Sequence, residues 1–247
     1  MPADFFTTEN ILSGFADLII VNSNSGYDYH LENGYPSDRM TVIANGIDTN
    51  LFVPDIPGRK RQRAAWSIDK GVYLVGIVGR LDPMKDHKTF LQAVCKVLEI
   101  RNDVQFVCVG HGNKKCREDL QQYSKELGVS ENIRWEPAHV NIENVYNALD
   151  VLVSTSAFGE GFSNTLAEAM SCGVRCVATD VGDAKSVLLD TGVIVPPRNS
   201  SAVADGILAI LDCDDHENSK FKKMAIDHIR KSYSIDRLVT NTLNVLK

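Results

Sequence analysis

The chain has 247 residues, of which 44% are hydrophobic and 23% charged, and 26 Lys+Arg against 32 Asp+Glu give a formal net charge of −6. These proportions exclude a disordered, collagen-like or coiled-coil chain, and the acidic balance argues against a nucleic-acid partner, whose binding is driven by phosphate neutralisation. No apolar run approaches the ~20 residues that cross a bilayer, and Met1–Asn10 carries two acidic and no basic side chains, unlike a signal peptide. A cytoplasmic protein, at most peripherally attached at the inner face of a membrane, is expected. The length fits one large domain or one and a fraction. The cysteines (Cys95, Cys108, Cys116, Cys172, Cys176, Cys213) form no C-x-x-C pair and read as buried free thiols in a reducing compartment.

In chain order, Asp17–Val21 and Arg39–Ile43 read as strands with a helix between them, too few for an independent sheet. Pro54, Pro57 and Gly58 mark a break, and the basic run Arg59–Arg63 reads as a solvated loop or a helix start. From residue 72 a couplet repeats. Val72–Val78 is a near-continuous β-rich run, the pattern of a strand covered on both faces. In Lys88–Leu98, Phe90, Leu91, Val94, Val97 and Leu98 recur at helical spacing. Val104–Val109 and a polar helix near Lys115–Leu127 follow, then Val151–Ser154 with Asn164–Ser171, then Val174–Ala178 and the segment after it. Short strands are expected at Ile133–Trp135 and Val193–Val195. Helices are expected near Ser200–Leu211, Lys220–Ser232 and Asp236–Leu246. This alternation predicts βαβ units and an α/β fold with a doubly wound, Rossmann-like parallel sheet.

Open parallel sheets bind ligands outside the carboxyl ends of their strands, so the loops after each strand carry the functional reading. Gly79–Lys85 offers Arg80, a planar fork suited to phosphate oxygens, and Lys85, a compact point charge. Gly79 lets a ligand approach the backbone beside Arg80. Gly110–Gly112 is a weak glycine signal by itself. Thr155–Phe162 carries Glu160 between two glycines, and Glu168 follows eight residues later inside a helix. Free N–H groups at the start of that helix could receive an anion. Glu168 has a second reading, as the end of a capping box Thr165–Glu168. Thr179–Asp183 closes the rim. No P-loop, nucleophile elbow or H-E-x-x-H motif is present, and a lone histidine such as His87 or His139 reads as structural.

Residues from about Ala16 to Leu211 resemble the C-terminal half of a retaining glycosyltransferase of family four, with the two-domain GT-B fold. The resemblance rests on Val42–Asp48, Gly76–Lys85, Val109–Gly112 and above all Glu160–Val174, which carries two glutamates separated by seven residues. Val181–Asp183 and Asp190–Gly192 resemble a subset that builds bacterial surface polysaccharides. The resemblance implies transfer of a sugar from a nucleotide-diphosphate donor to a glycan or lipid-linked acceptor, with no metal and no cofactor beyond that donor. It implies that Arg80 and Lys85 hold the diphosphate, that Glu160 meets the donor sugar, and that Glu168 meets the ribose. Gly79, Gly110, Gly161, Phe162, Ser163 and Asn164 complete the donor-binding set, the last three through backbone N–H groups.

Residues 1–50 resemble the remnant of an N-terminal acceptor domain and hinge, 51–232 the nucleotide-sugar domain, and 233–247 a final helix without its usual dock. The chain is thus expected to be truncated and inactive alone, or to pair with a separate N-terminal-domain subunit. Two other readings stand beside this one. The first is a non-catalytic nucleotide-sugar-binding or regulatory subunit. The second is a glycoside hydrolase using Glu160 and Glu168 as its carboxyl pair.

Overall fold

A computed structural model describes residues 3–247, with side chains from residue 8 onward; Met1 and Pro2, at the start of the expected remnant, lie outside them. Two parallel sheets form. The small one pairs β1 (Ile19–Val21) with β2 (Met40–Val42) around α2 (Asn24–Glu32), after a first helix α1 (Ala3–Ser13) that the sequence pattern did not announce. The large one has the order β5-β4-β3-β6-β7-β8, all neighbours parallel. Its strands are β3 (Tyr73–Val78), β4 (Val104–Val109), β5 (Ile133–Glu136), β6 (Val151–Ser154), β7 (Arg175–Thr179) and β8 (Val193–Val195).

Burial on both faces explains the unbroken apolar strands. Successive residues point to opposite sides. Leu74, Val107 and Leu152 therefore join a core with Tyr146, Leu166 and Met170, while their neighbours Val75, Phe106 and Val151 join a second core with Phe90, Val94 and Ile207. The helices α4 (His87–Leu98) and α9 (Ser200–Leu211) pack together over the second core, with α5 (Lys114–Glu126) beside α4. The first core lies under α6 (Ile142–Ala148), α7 (Asn164–Ser171), α8 (Ala184–Leu188) and α10 (Asp215–Tyr233), and α3 (Ile56–Ala65) packs on α6.

Two local readings change. The basic run 59–63 lies in α3, in line with the helix half of its reading and with Lys60 and Arg61 exposed, but Arg59 and Arg63 turn inward: both donate to main-chain carbonyls at the end of α6 and both pair with Asp150, at 2.6 and 3.1 Å. Helix α6 was not expected, because Asn141–Asn147 mixes three asparagines with β-branched residues of low helix propensity; packing of Val145 and Tyr146 into the core overrides that preference. The final helix, α11 (Ile235–Val245), starts from a bridge in which Ile47 donates to Tyr233 at 2.7 Å and Ile235 donates to Ile47 at 3.1 Å. None of its residues is buried.

His87 opens α4 at 2% exposure, and neither ring nitrogen has a hydrogen-bond partner. Burial pushes its pKa down to about 4, against the opposing pull of Asp82 and Asp86. The unfolded chain therefore takes up a proton near pH 6.5 that the folded chain refuses, so stability falls as pH drops from about 6.5 through 4. Urea unfolding at a series of pH values is expected to give a loss on the order of 2–3 kcal/mol across that window. His87→Leu should flatten it.

Candidate functional site

The strand order reverses between β3 and β6, which places the crevice expected of an open parallel sheet between the loops that follow these two strands, at their carboxyl ends. The loops after the two strands are stitched together. The Thr155 hydroxyl donates to the carbonyls of Lys85 and Asp86 at 2.9 and 3.0 Å, and the Ala157 N–H donates to Met84 at 2.8 Å. Asp86 is held at φ +44 and caps α4 through Thr89. A backbone locked in this way delivers Lys85 onto Glu160.

Lys85 and Glu160 form a direct ion pair, with side chains only 17% and 11% exposed. Ser156 donates to the same carboxylate oxygen of Glu160 at 2.5 Å, and its own carbonyl is held by the Thr179 hydroxyl at 2.6 Å. Glu160 therefore has two structural partners, which the isolated loop sequence had not suggested. Arg80 lies on the same edge, two residues past β3, but is 62% exposed and pairs with Asp82 at 3.3 Å. The crevice thus brings Lys85 and Glu160 together and leaves Arg80 exposed at the rim, paired with Asp82.

Glu168, on α7, accepts a hydrogen bond from the buried Tyr146 hydroxyl at 2.7 Å. The capping-box reading is not borne out: Ser163 is the N-cap, and no side chain bonds the first-turn N–H groups of α7. Those amides stay available as donors beside the crevice. Burial raises the Glu168 carboxyl above its ordinary value, with the Tyr146 bond pulling the other way. Tyr146 is raised well above its ordinary value, first by burial and then by Glu168. The proton thus rests on the tyrosine at neutral pH.

The remaining expected residues form the backbone of the crevice. Gly79 donates to Val109 at 3.0 Å, and Gly110 folds against it so closely that a β-carbon on Gly110 would stand 1.8 Å from the Gly79 carbonyl oxygen. Only glycine permits that approach. The Phe162 ring is buried against Tyr233, centroids 4.9 Å apart, so only its main chain can face a ligand. Ser163 is buried, and the exposed Asn164 accepts from Asn45 at 2.9 Å. Gly161 lies under Asn22 and Ser23. Sequence reasoning missed Ser156, Tyr146 and Asn45. Ser156 shares a post-strand loop with Glu160, a usable signal; the other two depend on tertiary placement. Among the described residues, no group of three or more His, Cys, Asp or Glu side chains could hold a metal ion, and no helix is long and apolar enough to cross a membrane.

A parallel, doubly wound sheet with a charged, glycine-rich crevice at its reversal point defines a Rossmann-like domain of the GT-B glycosyltransferase kind. The family model for glycosyl transferases group 1 matches residues 73–213, and the chain belongs to that family. It is 30% identical over 179 residues to the lipopolysaccharide core biosynthesis mannosyltransferase LpsB of Rhizobium meliloti, covering 70% of this chain and 50% of that protein. It is 30% identical over 215 residues to a D-inositol 3-phosphate glycosyltransferase of Corynebacterium urealyticum, covering 81% of this chain and 50% of that protein. The chain therefore spans about half the length of these relatives. Anabaena Alr3699/HepE in complex with UDP and glucose superposes with a TM-score of 0.92 at 21% identity, over all of this chain and 67% of that one. The C-terminal domain of a group 1 glycosyl transferase (LpcC) from Francisella tularensis superposes at 0.68 with 28% identity, over 77% of this chain and 100% of that domain.

Proposed function

We propose that the chain holds the donor of a retaining glycosyl transfer, a sugar on a nucleoside diphosphate, in the crevice between the loops after β3 and β6. The observation that carries this reading is the Lys85–Glu160 pair beside the uncapped start of α7. Breaking the bond from sugar to diphosphate leaves negative charge on the phosphates and positive character on the ring. Preorganised cations and helix-start amides stabilise the first. A carboxylate at the sugar orients the ring and tolerates the second. Lys85 and Arg80 would meet the diphosphate, with the backbone of Gly79, Gly110 and Gly161–Asn164 around it; Glu160 would meet the sugar, and Glu168 the ribose. Relatives named as a mannosyltransferase and a D-inositol 3-phosphate glycosyltransferase, and a structural neighbour holding UDP and glucose, support the class of donor.

The acceptor, a glycan or lipid-linked sugar in this reading, requires protein beyond the crevice residues, supplied by further sequence or by a separate subunit. The half-length match to relatives favours this, and with it a second reading in which residues 1–247 bind donor without transferring it. Membership in a transferase family displaces the glycoside-hydrolase reading of Glu160 and Glu168. Calorimetric titration with UDP-glucose and GDP-mannose tests the proposal. Binding between about micromolar and millimolar is expected for one of them, weakened in Arg80→Ala. No heat with any nucleotide sugar of a wide panel would overturn it.

A further inference from the structure

The first turn of α2 is capped from far along the chain. Its three leading N–H groups all find acceptors, but only one is local: Gly26 donates to the N-cap Ser23 hydroxyl at 3.0 Å. The other two go to a carboxylate more than 150 residues away in sequence. Asn24 donates its N–H to one oxygen of Asp183 at 2.8 Å and its side-chain amide to the same oxygen at 3.1 Å, while Ser25 donates its N–H to the other at 2.9 Å. Asp183 is 8% exposed. A carboxylate at a helix start also meets the positive end of the helix dipole, so charge and hydrogen bonding act in the same direction.

The other side of this contact is the loop that carries Glu160. Asp183 donates its own N–H to the Gly161 carbonyl at 3.2 Å. The preceding Gly182, at φ +61, lies so near that a β-carbon there would stand 2.5 Å from the Glu160 carbonyl oxygen. From the α2 side, a β-carbon on Gly161 would stand 2.8 Å from the Ser23 hydroxyl and 2.9 Å from the Asn22 side-chain oxygen. The loop at 160–161 is thus enclosed between the start of α2 and the turn before Asp183; the Ser25 hydroxyl donates to the Glu160 carbonyl at 3.5 Å, and Asp183 bonds α2 through its side chain and the loop through its main chain.

We infer that Asp183 is a positioning residue: by capping α2 it pins the small two-stranded unit onto the Glu160 loop and thereby sets how Glu160 meets the sugar of a donor that Asp183 never touches. The inference rests on the proposed function for its ligand, but the pin itself is testable without one.

The test uses the 247-residue chain and the variants Asp183→Ala and Asp183→Asn, the latter keeping the side-chain shape and one accepting oxygen. Hydrogen–deuterium exchange is followed in peptides covering residues 22–27 and 159–164. Exchange in both is expected to rise at least tenfold in Asp183→Ala and by less in Asp183→Asn; unchanged exchange in both variants overturns the pin. Affinities for UDP and UDP-glucose, and for GDP and GDP-mannose, are then compared. The preference for the sugar-bearing ligand over its bare nucleotide is expected to fall about tenfold in Asp183→Ala while the bare nucleotide binds within threefold of wild type. A merely structural defect would weaken both ligands alike, and an unchanged preference beside raised exchange overturns the link to Glu160. If Asp183→Ala does not fold, Asp183→Asn is read by the same criteria. If the wild-type chain binds no nucleotide sugar of a wide panel, the donor reading fails and the exchange measurement alone decides the pin.

Discussion

Lys85→Ala is expected to lower the rate of sugar transfer by the complete catalytic assembly on the order of 10²–10³-fold, the scale found when one preorganised electrostatic contact is removed. The substitution does two things. It deletes a positive charge that would face the diphosphate leaving group, and it strands Glu160, 11% exposed, with only the Ser156 hydroxyl as its described side-chain partner. A carboxylate left without its cation in that setting moves, and would lose the contact proposed for it with the sugar. Glu160→Gln keeps the shape and the Ser156 bond while releasing Lys85, so it should spare affinity for the bare nucleotide. In a double-mutant cycle, Lys85→Ala with Glu160→Ala should cost less stability than the sum of the two single changes, because neither charge is then left alone. Initial rates and thermal unfolding of the four proteins decide the matter. Wild-type donor affinity in Lys85→Ala would refute the role given to this pair.

Asp150→Ala is expected to destabilise the fold by about 2–3 kcal/mol, the cost of leaving partly buried cations and a main-chain N–H without their shared acceptor. One oxygen of Asp150 meets Arg59 at 2.6 Å, and the other meets Arg63 at 3.1 Å and the Leu74 N–H at 2.7 Å. Burial pulls the Arg63 and Lys222 pKa values down while Asp150 pushes both up. One carboxylate thus serves three cations and fixes the start of β3, far from the crevice. The urea midpoint should drop with an unchanged slope, and a loss below about 1 kcal/mol would show that the cations find other acceptors.

Elements with strong local signals were legible in the sequence. The helix at His87–Leu98 buries Phe90, Leu91, Val94 and Val97 along one face, and the strands at 104–109 and 151–154 are apolar because both of their faces are covered. Helix α6 was hidden because its stability comes from Tyr146 in the core rather than from propensity. The same divide runs through the crevice. Arg80, Lys85, Glu160 and Glu168 could be picked out because each follows a strand or glycine at a recognisable offset. That Lys85 touches Glu160, Tyr146 touches Glu168 and Asp183 caps α2 could not be read, since these partners lie 75, 22 and about 160 residues apart and local pattern carries no such information.

The β3–β6 junction divides the large sheet into two runs of consecutive strands, residues 73–136 on one side and 151–195 on the other. Both cations of the crevice belong to the first run and both glutamates to the second. A chain opened in the connecting segment at 137–141 would yield two pieces, each holding three adjoining strands and neither holding a whole site. Ligand capture would then report their reassembly, making this seam a natural place for fragment complementation.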